Sequence, residues 1–139
     1  IIDSAMYEEK GKFYLFVKSS PNPDNLLLLV SDHVNGKFER VEGFDDSMGA
    51  QTKGMYEAPT AVKLADGRWC LFADFYGADC AGQGYVPFVS DDLTKGVFTR
   101  ADEAFHFPYG FKHGTILPIT EEEYERMLAR DWTDVPDLR

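Results

Sequence analysis

Two stretches of the sequence share one pattern: KGKFYLF at positions 10–16 and DGRWCLF at positions 66–72. Each places a charged residue and a glycine before a run of aromatic and aliphatic side chains. Further along the chain, VSD at 30–32 is matched by VSD at 89–91. The first pair is offset by 56 positions (66 − 10) and the second by 59 (89 − 30). Self-similarity at such a period indicates a repeat architecture in which each copy forms one supersecondary unit.

Each copy predicts four short strands. Runs rich in aromatic and β-branched residues are separated by turns whose glycines tolerate the positive φ that hairpins need. Antiparallel four-stranded units at this period are typical of β-propeller blades, whereas a β-sandwich would show such strands without needing the repeat. The predicted fold class is therefore all-β, with antiparallel four-stranded blades of a β-propeller. The predicted strands are 3–7, 13–19, 26–31 and 37–41 in the first copy, and 58–64, 69–75, 85–90 and 97–100 in the second.

The repeats predict one domain over residues 1–139, with blade-like copies at about 1–42 and 55–101 and a closing segment at 102–139. Two blades and part of a third cannot close a ring that needs at least four. We therefore expect a partial propeller of two to three blades. The rest of the ring is expected to come from sequence that precedes Ile1.

The closing segment predicts the one clear helix of the chain, over 120–128. Thr120 and Glu123 have the spacing of a capping box. Residues 114–119 predict a further strand, and the acidic pair at 45–46 predicts a solvated turn. Three apolar residues of the helix share one face and are expected to pack on the blades: Tyr124, Met127 and Leu128.

Composition narrows the classes of partner. The 139 residues include 24 acidic and 14 basic side chains, so the net charge is −10. A chain this acidic repels phosphate backbones, which argues against nucleic acid as a partner. No apolar run approaches the length of a membrane span. Cys70 and Cys80 show no metal-ligand spacing, and His33 and His106 support no zinc site. The cellular compartment stays open.

Two acidic residues lie where inner strands begin, Asp3 in the first copy and Glu57 in the second. Inner strands of neighbouring blades line the central channel of a propeller, so this pair is expected to approach across the axis. Paired carboxylates in different environments are what glycoside hydrolysis requires. The alternative is that both are exposed turn acids, which is common for Asp and Glu.

Three motifs resemble glycoside hydrolase family 43. ID at 2–3 followed by GKFYLF at 11–16 resembles the family's second catalytic-site blade, and YEAP at 56–59 resembles its Glu-Gly-Pro motif. FKHGT at 111–115 resembles its Arg-His-Gly-Thr/Ser segment. The resemblance covers nearly all of the chain. It implies a five-bladed β-propeller with arabinofuranosidase, xylosidase or arabinanase activity.

The resemblance also implies residue roles. Glu57 would be the general acid, with a pKa raised by burial and a neighbouring charge. Asp3 would be the third carboxylate, which orients the acid and holds up its pKa. His113 would bind substrate near the ring centre or lie beside a bound Ca²⁺. Family members invert configuration with a base Asp about 6.5–9.5 Å from the acid. That base would precede Ile1, so the isolated chain is expected to be nearly inactive.

Other residues around these motifs qualify the resemblance. Ala58 replaces the expected Gly and Lys112 replaces Arg, which affects substrate choice more than reaction type. Asp74 could reach substrate hydroxyls or be a turn or edge-strand acid, and Lys18 at the equivalent place is equally ambiguous. Most aromatic residues at strand spacing pack in the core, so the loop residues Tyr76 and Tyr109 are better candidates for stacking on a sugar than Trp69, Phe75 and Phe107.

The function implied is a fragment of an inverting glycoside hydrolase that cleaves arabinofuranosyl or xylosyl linkages. Its ligand would be an arabinose- or xylose-containing oligosaccharide, with no cofactor required and no protein-ligated metal beyond a possible Ca²⁺ near His113. A non-catalytic carbohydrate-binding propeller is the alternative. Sucrose- and fructan-cleaving propellers fit less well, because their acid typically sits in Glu-Cys. A protein-interaction propeller is disfavoured because neither copy has a Trp-Asp or Gly-His signature.

Overall fold

A computed structural model of the chain describes residues 2–19, 26–51, 55–76, 84–105 and 110–131. The elements in chain order are β1 (Ile2–Glu9), β2 (Lys12–Lys18), β3 (Leu26–Ser31), β4 (Glu39–Arg40), α1 (Glu42–Gln51), β5 (Tyr56–Lys63), β6 (Trp69–Phe75), β7 (Gly84–Ser90), β8 (Thr99–Arg100) and α2 (Glu121–Ala129).

The strands form two antiparallel sheets of four, in the orders β1-β2-β3-β4 and β5-β6-β7-β8. Every strand pairs with its neighbour in sequence, so each sheet is a simple meander. Gly11 and Gly67 have positive φ (76° and 88°) in the first turns of the two sheets, where a residue without Cβ is favoured. This arrangement confirms the predicted fold class and all eight predicted strands, with shifts at their ends.

The main core lies between the two sheets. Strand β6 contributes alternate residues to two clusters, because successive side chains point to opposite faces of a sheet. Its residues Trp69, Leu71 and Ala73 pack in the core between the sheets, whereas Cys70 and Phe72 pack on the far face with Tyr85. The first sheet contributes Tyr14, Phe16, Leu26 and Leu28 to the core between the sheets.

Helix α1 was not predicted, and the acidic pair Asp45–Asp46 lies inside it rather than in a solvated turn. Its sequence contains two glycines and two aspartates, which are weak helix formers. Phe44 and Met48, one turn apart, are buried in the core, so tertiary packing stabilises this helix.

Helix α2 confirms the predicted capping box: Thr120 accepts from the Glu123 N–H, and Glu123 accepts from the Thr120 N–H. The expected packing of its apolar face is wrong. Tyr124, Met127 and Leu128 are 47–63% exposed, and no residue of α2 is buried. The predicted strand at 114–119 is also wrong, since this segment joins no sheet. Within the described residues, no helix is both long and apolar enough to cross a membrane.

Candidate active site

A β-bulge near the start of each inner strand sets the position of the predicted acids. In the first sheet Ile2 pairs with Lys18, and in the second Glu57 pairs with Asp74, before the register shifts by one residue. Glu57 therefore corresponds to Ile2. Asp3 is one position further on, within the bulge, so the two acids do not occupy matching places.

Glu57 is the centre of a charged cluster formed by several elements. Lys18 Nζ, at the end of β2, lies 2.6 Å from Glu57 Oε2. His113 Nε2, from the segment after β8, lies 3.3 Å from Glu57 Oε1. The side chains of Lys18 and Glu57 are only 11% and 17% exposed, so solvent screens their ion pair weakly.

Asp74 lies opposite Glu57 and is fully buried, with neither carboxylate oxygen in a hydrogen bond. Its Oδ2 is 3.6 Å from both Lys112 Nζ and His113 Nε2, within ion-pair range but too far for hydrogen bonds. Asp74 lies within β6, which pairs with β5 on one side and β7 on the other, so its interpretation as a turn or edge-strand acid is wrong. Its position puts a second carboxylate beside Glu57.

The surroundings shift the pKa values of the two carboxyl groups in opposite directions. Burial favours the protonated form of Glu57, but Lys18 and then His113 outweigh it, so the pKa of Glu57 lies below its ordinary value. Burial raises the pKa of Asp74 against the opposing effects of Lys112 and His113, and the charge of Glu57 adds to the rise. The raised pKa expected for Glu57 is thus not found, and Asp74 has it instead.

Asp3 is half-buried and lines an open cleft of about 360 Å³ together with Ala58, His113 and Gly114. In the described part of the chain, Asp3 forms no hydrogen bond with Glu57. The cleft brings Asp3 to the same side of the molecule as His113. Its predicted role as the third carboxylate stays a prediction.

Tyr76 follows β6 and places its ring 4.4 Å from Lys18 Nζ, in a cation–π contact. Tyr109 lies outside the described residues, as do Cys80 and His106. Two residues that the sequence left ambiguous, Lys18 and Asp74, lie beside Glu57 and His113 in the structure. The available signal was the repeat relationship between them.

Glu57, Asp74 and His113 each bring one potential ligand atom within 4.8 Å of the others. Calcium takes about six to eight oxygen ligands, whereas this group offers two carboxylates and one imidazole nitrogen. Lys18 also forms an ion pair with Oε2 of Glu57, and its ammonium group would repel a bound cation. Glu57, Asp74 and His113 therefore do not by themselves form a calcium site. A Ca²⁺ ion near His113 stays a prediction of the resemblance.

Comparison with known proteins identifies the family. The profile of a family described as a probable glycosyl hydrolase domain, related to glycoside hydrolase family 43, matches residues 1–125. The chain belongs to this family. No curated protein matches it.

Two solved structures share the fold. Native arabinanase from Bacillus subtilis is 13% identical with a TM-score of 0.52, and the match covers 72% of this chain and 36% of that chain. A family 43 β-1,3-galactosidase solved with galactodeoxynojirimycin is 18% identical with a TM-score of 0.52, covering 70% of this chain and 32% of that chain. The chain spans about a third of the length of each of these proteins.

Proposed function

We propose that the protein containing this chain is a glycoside hydrolase in which Glu57 is the general acid. The observation that carries the proposal is the half-buried Glu57 carboxyl group beside His113 and the buried Asp74, in a chain of a glycosyl hydrolase family. A protonated carboxyl group can deliver its proton to a leaving glycosidic oxygen. The proposal therefore requires Glu57 to hold a proton when the sugar is bound, although the pKa of Glu57 in the free chain lies below its ordinary value.

The proposed reaction inverts the anomeric centre. Glu57 protonates the leaving oxygen while a carboxylate on the opposite face of the sugar takes a proton from water. None of the matched motifs supplies that base, so we assign it to a part of the protein outside this chain and expect the chain alone to be nearly inactive. Asp3 and His113, which share one cleft, would contact sugar hydroxyls or orient the acid.

The proposed substrate is an oligosaccharide with arabinofuranosyl or xylosyl linkages, as the motifs imply. One structural neighbour is an arabinanase and the other a β-1,3-galactosidase, so galactosides belong in any substrate panel. Substrate choice depends on residues near the acid. There Ala58 carries a methyl group that the Gly of the family's Glu-Gly-Pro motif lacks.

A carbohydrate-binding propeller without activity is the second candidate. The observation that favours it is the Lys18–Glu57 ion pair, because an ionised carboxyl group accepts hydrogen bonds from sugar hydroxyls but has no proton to donate. The two candidates differ in whether Glu57 can hold a proton when the sugar is bound.

A substrate panel separates these candidates. The full-length protein and its Glu57→Gln variant would be assayed on aryl arabinofuranosides, xylosides and galactosides. We expect hydrolysis of at least one pentoside by the wild type and a loss of about 10²–10⁴-fold in Glu57→Gln, the usual contribution of a general acid. Glu122→Gln, on exposed α2, is the matched control and should keep full activity. Binding of arabinan or xylan without hydrolysis would support the second candidate and contradict the first.

A further inference from the structure

Three non-glycine residues with left-handed backbone recur at one spacing: Asp3 (φ 51°), Ala58 (φ 44°) and His113 (φ 49°). Both intervals are 55 residues (58 − 3 and 113 − 58). The other such residue in the described part of the chain, Lys10, lies in a hairpin turn. Non-glycine residues rarely adopt positive φ, so its recurrence at this interval indicates that the segment around His113 is a third copy of the backbone conformation found at Asp3 and Ala58. The segment around His113 thus follows the second sheet as β5 follows the first.

The repeat relates two contacts between successive copies. Lys18 and Asp74 occupy equivalent places, because they pair with Ile2 and Glu57 ahead of the two bulges. Each forms an ion pair with the residue just before the next left-handed residue. Lys18 Nζ lies 2.6 Å from Glu57, which precedes Ala58, and Asp74 Oδ2 lies 3.6 Å from the ammonium of Lys112, which precedes His113. The two ion pairs are therefore one structural contact with its charges exchanged.

In each contact, the residue at the equivalent place (Lys18 in one, Asp74 in the other) is shielded from solvent. Lys18 is 11% exposed and Asp74 is fully buried, whereas Lys12, on the same strand as Lys18, forms an exposed pair with Asp32. A charge this buried is unfavourable without a partner, so both copies keep a partner of opposite sign. His113 Nε2 joins the two pairs, since it lies 3.3 Å from Glu57 and 3.6 Å from Asp74.

We propose that Lys18 and Asp74 are positioning residues for Glu57. Lys18 holds the Glu57 carboxyl group directly. Asp74 lies within ion-pair range of Lys112 and of His113, and through His113 it acts on Glu57. The inference rests on the proposed function for its catalytic meaning, although the contacts stand without it. Among the residues that the structure describes, the charged and titratable groups that face Glu57 are Lys18 from β2, Asp74 from β6 and His113 from the segment after β8.

The two residues act on different properties of the reaction. Without the Lys18 ammonium, burial is left as the main influence on Glu57, so its pKa rises and the protonated acid persists to higher pH. Without the Asp74 charge, Lys112 and His113 lose their anchor. Glu57 is then less well oriented, which lowers kcat more than it changes KM.

The first test is the pH dependence of kcat/KM for the full-length protein and its Lys18→Met variant. We expect the alkaline limb of Lys18→Met to lie at least about one pH unit above that of the wild type. Lys18→Arg retains the cation and should keep the wild-type limb, and the control Lys12→Met should match the wild type. Lys18→Gln replaces Lys18→Met if the latter does not fold. An unchanged limb in the variants without the cation would overturn the inference.

The second test is a double-mutant cycle of Asp74→Asn and Lys112→Met, with Asp66→Asn in an exposed turn as control. If Asp74 acts through Lys112 and His113, Asp74→Asn should lower kcat at least tenfold, and the double variant should fall by much less than the product of the single effects. Fully multiplicative losses in kcat would overturn the assignment of Asp74.

A measurement independent of activity separates this inference from the proposed function. The Glu57 carboxyl carbon would be followed by ¹³C NMR during pH titration of the wild type and Lys18→Met, with the signal assigned from Glu57→Gln. If the wild type hydrolyses no glycoside but the midpoint rises in Lys18→Met, the proposed function fails and the Lys18 contact stands. An unchanged midpoint overturns the Lys18 contact whatever the activity.

Discussion

Helix α1 is joined to both sheets by a cluster of aromatic rings, and the energy of this contact can be worked out from the structure. Phe44 is fully buried, with its ring centroid 5.8 Å from that of Phe16 and 5.5 Å from that of Phe98, both edge-to-face. Phe44→Ala removes the ring and leaves a cavity, for which we expect a loss of about 3–5 kcal/mol in the free energy of unfolding. The two ring contacts account for roughly 1–3 kcal/mol of it.

The assay is urea unfolding of the full-length protein, followed by the fluorescence of tryptophans such as buried Trp69. Phe44→Ala should lower the midpoint with little change in slope, since the folded and unfolded states expose similar areas. Val97→Ala, at a side chain 55% exposed, is the control and should change stability by less than about 0.5 kcal/mol. A loss below about 1 kcal/mol in Phe44→Ala would refute the docking of α1 in the core.

Three further predictions concern backbone space, capping and burial. A Cβ at Gly43 would lie 2.1 Å from the Lys95 carbonyl oxygen, whereas one at Gly49 meets nothing within 4 Å. In urea unfolding, the free energy of unfolding should therefore fall in Gly43→Ala, by about 1–3 kcal/mol, and rise in Gly49→Ala, by about 0.5–1 kcal/mol; the reverse order would contradict the placement of α1. Thr120→Ala removes the capping box and should weaken α2 by about 1 kcal/mol, seen as faster amide hydrogen exchange in that helix, and unchanged exchange would count against it. Burial raises the pKa of the Cys70 thiol to about 12, so mass spectrometry should find it unalkylated in the native protein at pH 8 and alkylated only after unfolding.

The strands were predictable because the repeat places hydrophobic runs and turn glycines at equivalent positions. Local pattern is sufficient for a meander, in which each strand pairs with its sequence neighbour. Helix α1 could not be found from propensity, since its stability comes from Phe44 and Met48 in the core. Their spacing of four residues was the only local signal.

The candidate site was partly predictable for the same reason. Glu57 and His113 were identified by motif, and the structure brings them to 3.3 Å. The ion pair of Asp74 is with Lys112, 38 positions further along the chain (112 − 74), and sequence pattern does not show that contact. Helix α2 shows another limit of sequence pattern. Its spacing correctly indicates an apolar face, but it does not indicate whether anything covers that face.

The central claim is that Glu57 donates the proton to the leaving group, and leaving-group dependence tests it most directly. The full-length protein and Glu57→Ala would be assayed on an oligosaccharide substrate and on a dinitrophenyl glycoside of the same sugar, whose leaving group needs no protonation. The account predicts that Glu57→Ala loses about 10²–10⁴-fold on the oligosaccharide and roughly tenfold or less on the dinitrophenyl glycoside. Equal losses on both substrates would contradict it, because a residue that only binds sugar affects both in the same way.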